Sequence, residues 1–226
     1  MLIGIHGKSG HGKDTIADHI CRLDPRFEVR KFATGVRKAA AIITDIPWDH
    51  MLTAEEKAFS LSELKWDTSQ FDTRLRNSIE WATERSATPL EVARFKAALK
   101  ITHDQNEFIR LDYSVGTLLQ LLGTDCFRDI IDEDIWVNEL FRNYKQCEFV
   151  VISDVRAPNE EQRIHECSGI VIRVTRPECG QLADGRSSAH ASENWVVNCD
   201  YGFDNSGSLQ DLLDMTEKFV KSQIDR

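Results

Sequence analysis

No apolar run in this 226-residue chain approaches the roughly 18 residues that a membrane-spanning helix needs. The opening Met1-Leu2-Ile3-Gly4-Ile5 is too short for a secretory signal core and runs straight into a glycine-rich loop. The cysteines, Cys21, Cys126, Cys147, Cys167, Cys179 and Cys199, are scattered, with no Cys-x-x-Cys pair. That pattern excludes a disulfide framework or a zinc site and reads as free thiols in a reducing, cytoplasmic compartment. An excess of positive charge is also missing: 28 Lys and Arg stand against 37 Asp and Glu, a formal net charge of −9. A protein that coats nucleic acid needs a net basic surface, so that class is disfavoured. No internal repeat or low-complexity tract is present.

What remains is 41% apolar and 29% charged, the composition of a globular domain with a sizeable core. One local reversal of charge stands out. Residues 1–40 carry Lys8, Lys13, Arg22, Arg26, Arg30, Lys31, Arg37 and Lys38 against only Asp14, Asp18, Asp24 and Glu28. An anion site inside an acidic protein would look like this.

Leu2 to His6 reads as a strand, followed by the glycine loop and a helix whose apolar positions Ile16, Ala17, Ile20 and Leu23 recur at helical spacing. Glu28 to Ala33 is expected to be a second strand and Val36 to Ile43 a helix. From Trp48 to Tyr113 strand alternation vanishes. Thr53-x-x-Glu56 and Thr88-Pro89-Leu90-Glu91 are capping boxes, so 48–112 is expected to be a helical insertion with a polar, mobile stretch around Trp66 to Thr73. Ser114 to Leu122 is expected to form a helix closed by Gly123. Thr124-Asp125 would start another, reaching Tyr144 with a kink near Asp132. Phe149 to Ile152 has the continuous apolar character of a strand buried on both faces, and Ile170 to Val174 is the next strand. A Gly/Ser/Asp-rich loop follows, and Asp204 to Ser208 caps a last helix from Leu209 to about Ile224. Strands alternating with helices predict an α/β fold of three α/β/α layers with a mostly parallel sheet. Its core is expected to be 1–47 and 113–226, with 48–112 as the insertion. The five tryptophans, Trp48, Trp66, Trp81, Trp136 and Trp195, are expected to serve as packing residues.

The strongest chemical signal is Gly7-x-x-x-x-Gly12-Lys13. Glycines let backbone N–H groups turn inward around a phosphate, the helix that follows adds its dipole, and the lysine reaches the β/γ-phosphates. Ser9, Gly10 and His11 complete the loop. Asp14 stands where Ser or Thr normally ligates Mg²⁺; either Asp14 through water or Thr15 could serve the metal. The second signal is Asp154-Val155-Arg156 at a strand end, where ligands of parallel sheets bind. A carboxylate there can orient a metal-bound water, and an arginine can fork onto a phosphate. The third is the loop from about 176 to 190, with Arg176 and Arg186, which has the character of an arginine-bearing lid. Arg37, Lys38 and Arg128 are further candidates for an acceptor anion.

These residues give the chain a resemblance to the phage deoxynucleoside monophosphate kinases of the T-even type, within the P-loop nucleoside monophosphate kinases. It is carried by Gly12-Lys13-Asp14-Thr15, Leu122-Gly123-Thr124-Asp125 with Trp136, Ile152-Ser153-Asp154-Val155-Arg156, Val174-Thr175-Arg176-Pro177, His190-x-Ser192-Glu193 and Asn205-Ser206-Gly207-Ser208-Leu209. The resemblance implies transfer of the γ-phosphoryl of ATP, with Mg²⁺, to a deoxynucleoside 5′-monophosphate. It implies that Gly7 to Thr15 hold the donor phosphates and that Asn205, Ser206 and Gly207 lie near the donor adenine. Arg37, Asp125, Arg128 and Arg156 would hold the acceptor, and Arg176 and Arg186 would act from the lid. Asp14 and Asp154 would serve the metal, and Lys13, Asp154 and Arg156 the chemistry. Kinases of hydroxymethylated pyrimidines in DNA and phosphomevalonate kinases share this donor side and remain alternatives. Small nucleotides are the implied partners, in the host cytoplasm if the gene is phage-borne; a homodimer is compatible with the sequence.

Overall fold

The computed structural model describes residues 1–146, 148–177 and 197–224. Among the described residues the chain divides into two compact units, one built from Met1–Phe32 with 140–177 and 197–224, the other from Ala33–Glu139. The helical unit is therefore wider than the 48–112 stretch read from the sequence.

In the first unit, β1 (Leu2–His6) leads into α1 (Lys13–Leu23) and β2 (Phe27–Arg30). The chain returns through β5 (Phe149–Val155), α8 (Pro158–Glu166), β6 (Ile170–Thr175), β7 (Tyr201–Asp204) and α9 (Leu209–Ile224). Among the described residues these strands form a five-stranded sheet in the order β2-β5-β1-β6-β7, and every pairing is parallel. Parallel strands demand helical crossovers, and helices on both faces follow. The alternation of β1 shows how. Ile3 and Ile5 join Ile16, Ala17 and Ile20 of α1 and Leu212, Phe219 and Val220 of α9 in one core. Gly4 looks the other way, where a Cβ would stand 2.7 Å from Ile164 Cδ1 of α8. A side chain there would require Ile164 and Val155 to repack.

The second unit continues α2 (Phe32–Thr44) and holds a short 3₁₀ turn (Trp48–His50), α3 (Ala54–Ala58), α4 (Thr68–Thr83), α5 (Pro89–Ala98) and α6 (Val115–Leu121). A π-helical segment (Leu122–Ile131) and the start of α7 (Ile135–Phe141) follow. Both predicted capping boxes are present. Thr53 Oγ1 accepts from Glu56 N and Thr88 Oγ1 from Glu91 N, each at 3.2 Å, and each glutamate returns the bond to the threonine N–H. The core gathers Phe95, Phe127 and Trp136 in ring contact, with the Trp136 indole donating to the Gly123 carbonyl at 2.8 Å.

Several expectations are corrected. Phe32 and Ala33 are helical rather than strand, because the Phe32 N–H is capped by the Asp154 carboxylate at 2.9 Å, a partner 122 positions away. The stretch around Trp66 to Thr73 is ordered. Trp66 is buried and exchanges backbone hydrogen bonds with Ile109 at 3.2 and 2.7 Å, and α4 begins at Thr68, capped by the Asp67 carboxylate. A small antiparallel pair, β3 (Thr102–His103) and β4 (Ile109–Arg110), interrupts the all-helical expectation. Gly123 does not close a helix; the chain passes through it into the π-helical segment, and the break comes at Asp132, near the expected kink. The strand β7 went unread because its four residues sit against the cap of α9. Trp136 and Trp66 are core residues, but Trp48 is 41% exposed. Cys21, Cys126, Cys167 and Cys199 are free thiols; Cys147 and Cys179 lie outside the described residues. Among the described residues no helix is long and apolar enough to cross a membrane.

The capping box of α5 yields a pH test. The Arg85 guanidinium, with the Thr88 N–H and hydroxyl, outweighs burial and draws the Glu91 carboxyl down to about 2. A depressed folded value adds stability that is complete above the unfolded value and is lost as pH falls through the folded one. Glu91→Gln keeps the cap but not the charge. It is expected to destabilise by about 1–2 kcal/mol at pH 7, with the half-exposed Arg85 discounted for screening. In urea titrations the gap should close between about pH 5 and pH 2; a pH-independent gap would refute the ion-pair account.

Candidate active site

A parallel sheet delivers the C-terminal ends of its strands to one edge, and β1 sits at its centre with β5 on one side and β6 on the other. The loop of residues 7–12 leaves β1 at that edge. Its glycines answer to close approach. A Cβ on Gly7 would stand 2.6 Å from the Val174 carbonyl of β6. Gly12 caps α1 at φ +96°, and a Cβ there would meet Asn205 Nδ2 at 2.7 Å. The His11 imidazole donates from Nδ1 to the Val174 carbonyl at 3.0 Å, and Asn205 Nδ2 donates to the His11 carbonyl at 2.9 Å. Asn205 N–H bonds in turn to the Thr175 carbonyl at 2.7 Å. The loop is thus tied to β6 and to the end of β7. Lys13 reaches over it, with Nζ donating to the Lys8 carbonyl at 2.8 Å.

The β1–β5 register shifts within this edge. Gly4 pairs with Ile152, but His6 pairs with Val155, so β5 carries one extra residue at Ser153–Asp154. Bulges of this kind re-aim side chains. Ser153 Oγ donates to Asp14 Oδ1 at 3.0 Å, and Asp154 Oδ1 accepts from the Phe32 N–H. The His6 ring secures the far side of the bulge by donating from Nδ1 to the Val155 carbonyl at 3.0 Å. Burial, with the charges of Arg173, Lys13 and Arg156, outweighs that bond and lowers the His6 pKa, so the ring is neutral at pH 7. The turn that bears Arg156 is fastened by the buried Glu160 carboxylate, which accepts from the Arg156 and Ala157 N–H groups at 2.7 and 3.0 Å.

Lys31, just past β2, donates to Asp14 Oδ1 at 2.6 Å. Burial pushes the Asp14 carboxyl up, but the Lys31 bond and charge, Ser153 and Lys13 together prevail and hold it below the ordinary carboxylate value. It is ionised at neutral pH. Among the described residues no group of three or more His, Cys, Asp or Glu could hold a metal by itself. Mg²⁺ in phosphate sites is bound by one or two carboxylates together with substrate phosphates and water, so an ionised, exposed Asp14 beside the loop is a fitting donor.

The structure therefore gathers Gly7, Ser9, Gly10, His11, Gly12, Lys13, Asp14, Thr15, Asp154, Arg156, Arg176 and Asn205 at the strand ends of the first unit. Ser206 and Gly207 are exposed next to Asn205, whose own amide is committed to the loop backbone. In the helical unit, Arg37 lies buried on α2, and Asp125 and Arg128 fall one turn apart on the π-helical segment. Arg186 and most of the 176–190 loop lie outside the described residues. The sequence assigns no individual role to His6, Lys31 and Ser153, although Lys31 stands in the basic cluster of residues 1–40 and Ser153 in the motif before Asp154. Each ends or follows a strand at the edge where ligands of such sheets bind, and that position was the available signal.

Residues 70–215 match the family described as deoxynucleotide monophosphate kinase. The chain is also 26% identical over 184 residues to a deoxynucleoside-5′-monophosphate kinase of Escherichia phage T5, covering 74% of this chain and 72% of that protein. The family match begins well after the glycine loop, so loop and match are separate observations.

Gly12 provides the sharpest test of this edge. Holding an L-residue at positive φ costs about 1–2 kcal/mol, and 1.4 kcal/mol is tenfold in binding. Gly12→Ala is expected to weaken ATP binding by about five- to thirtyfold in calorimetric titration, and Asn205→Ala by less. Removing the Asn205 conflict in the double variant Gly12→Ala with Asn205→Ala should not restore affinity, because the backbone strain persists. Wild-type affinity in Gly12→Ala would remove the loop from the donor site.

Proposed function

This chain belongs to the deoxynucleotide monophosphate kinase family, and from that premise we propose how its own residues divide the work of moving the γ-phosphoryl group of ATP to a deoxynucleoside monophosphate. The observation that carries the reading is the glycine loop with Lys13 drawn across it, one strand away from Asp154 and Arg156.

In the reaction, an oxygen of the acceptor phosphate bonds to the γ-phosphorus while the bond to the β,γ-bridging oxygen breaks, giving two diphosphates. A phosphomonoester is largely dianionic at pH 7, so the attacking oxygen has little proton to lose. The protein's task is to bring two anions together and spread their charge. Backbone N–H groups of residues 7–13 cradle the donor phosphates, and Lys13 follows the charge that grows on the β,γ-oxygens. Arg156, on its Glu160-braced turn, forks onto the acceptor phosphate. Arg176, exposed just past β6, and Arg186 neutralise the moving group. Arg37, Asp125 and Arg128 are assigned to the acceptor nucleotide from the helical unit, and residues 48–112 to the choice of its base. Asn205 holds the loop, with Ser206 and Gly207 nearest the adenine. Mg²⁺ would be held by Asp14, with Asp154 ordering its water, and when bound it supplies charge neutralisation at the transferring phosphates.

The formal charge of −9 supports free nucleotides rather than DNA as the acceptor, and such substrates place the reaction in the cytoplasmic nucleotide pool. ADP release from Mg-ATP across the deoxy- and ribonucleoside monophosphates tests this. Turnover on deoxynucleotides is expected; turnover confined to a hydroxymethylated oligonucleotide would overturn it. Two variants test the roles. Lys13→Ala should lower kcat by about 10²–10³-fold, as loss of roughly 3–4 kcal/mol of transition-state stabilisation implies, with an unchanged circular dichroism spectrum. Arg156→Ala should raise KM for the monophosphate and leave ATP affinity near wild type; an equal loss of ATP binding would move Arg156 to the donor side.

A further inference from the structure

In phosphate-loop enzymes generally, the residue after the loop lysine offers a hydroxyl to Mg²⁺, and the strand beside the loop offers a carboxylate. Here Asp154 supplies the strand carboxylate, but the position after the lysine carries a carboxylate as well. The residue after Lys13 is Asp14, and a side chain that meets it from the neighbouring strand is the hydroxyl of Ser153, at 3.0 Å. We propose that Ser153 is a positioning residue that aims the Asp14 carboxylate at Mg²⁺.

Three features support it. First, the direction of the bond is determined. The Ser153 hydroxyl donates to Asp14 Oδ1. Second, Ser153 is 1% exposed and sits at the bulge, braced by the His6 ring on the Val155 carbonyl and by Asp154 on the Phe32 N–H. A donor on such a rigid support narrows the orientations open to an otherwise exposed aspartate. Third, among the described residues Ser153 and Lys31 both donate to Oδ1, which leaves Oδ2 on the side open to a cation. The carboxylate is thereby gripped by one oxygen and presented by the other. A hydroxyl at position 14 would need no such partner, because it carries a single oxygen.

The inference rests on the reading that the loop takes ATP with Mg²⁺, and the experiment separates the two. Binding of a fluorescent, non-hydrolysable ATP analogue is measured with and without Mg²⁺, and the ratio of the two Kd values gives the tightening that the metal provides. The wild-type chain should show clear tightening. Ser153→Ala should cut that ratio about fivefold or more while leaving metal-free binding unchanged, a split that general loss of structure would not produce. Asp14→Ala should abolish the tightening. The exchange Asp14→Ser with Ser153→Asp keeps one hydroxyl and one carboxylate in the pair, and should recover part of it. A Ser153→Ala ratio equal to wild type overturns the proposal even if the exchanged variant fails to fold. Absence of tightening in the wild-type chain overturns the reading of the loop, and the proposal with it.

Discussion

The parallel pairing of β1 between β5 and β6 is the constraint from which the rest of the first unit follows. A parallel ladder aligns strand ends, so the glycine loop, the Ser153–Arg156 segment and Arg176 emerge at one edge although they lie up to 170 residues apart. The same ladder sets how near they come. Gly7 passes the Val174 carbonyl at a distance no side chain allows, and Gly4 admits α8 against the other face. Changing Gly4 would therefore act on the site through the sheet.

Within that frame, the one-residue excess of β5 does the aiming. An unbroken register would continue the inward–outward alternation and carry Asp154 opposite His6. The bulge instead lets Ser153 address the start of α1 while Asp154 caps Phe32, so a single irregularity serves the loop and the entry to α2 together. Bulges weaken a ladder locally, and here the His6 ring and the Glu160 carboxylate supply hydrogen bonds to the segment that lost them. The electrostatics follow the same economy. Lys13 and Lys31 stand at the loop, and the carboxylates there, Asp14 and Asp154, are each held by a named donor.

Local chemistry was readable without the fold. The two threonine capping boxes, the limits of α9, the buried run of β5 and the glycine loop with its lysine depend on residues within a few positions of one another, and all are present in the structure. Expectations failed where the deciding partner was distant. Phe32 and Ala33 resemble the end of a strand until the Asp154 carboxylate caps them. Trp66 belongs to a polar stretch until Ile109 pairs with its backbone. Gly123 is a plausible helix stop until its carbonyl receives the Trp136 indole and the helix runs on.

The sequence by itself determined the class of fold, the donor chemistry and the family, because strand–loop–helix order and glycine spacing are local and are enforced by backbone sterics. Only the tertiary structure decided which side chains attend the loop. Lys31, Ser153 and Asn205 lie 17, 139 and 191 residues from Asp14, and a register shift of one residue in β5 is what brings Ser153 within a hydrogen bond of it. Side-chain hydrogen bonds reach about 3 Å. No pattern along the chain encodes so short a distance between strands until the sheet has chosen its order and register.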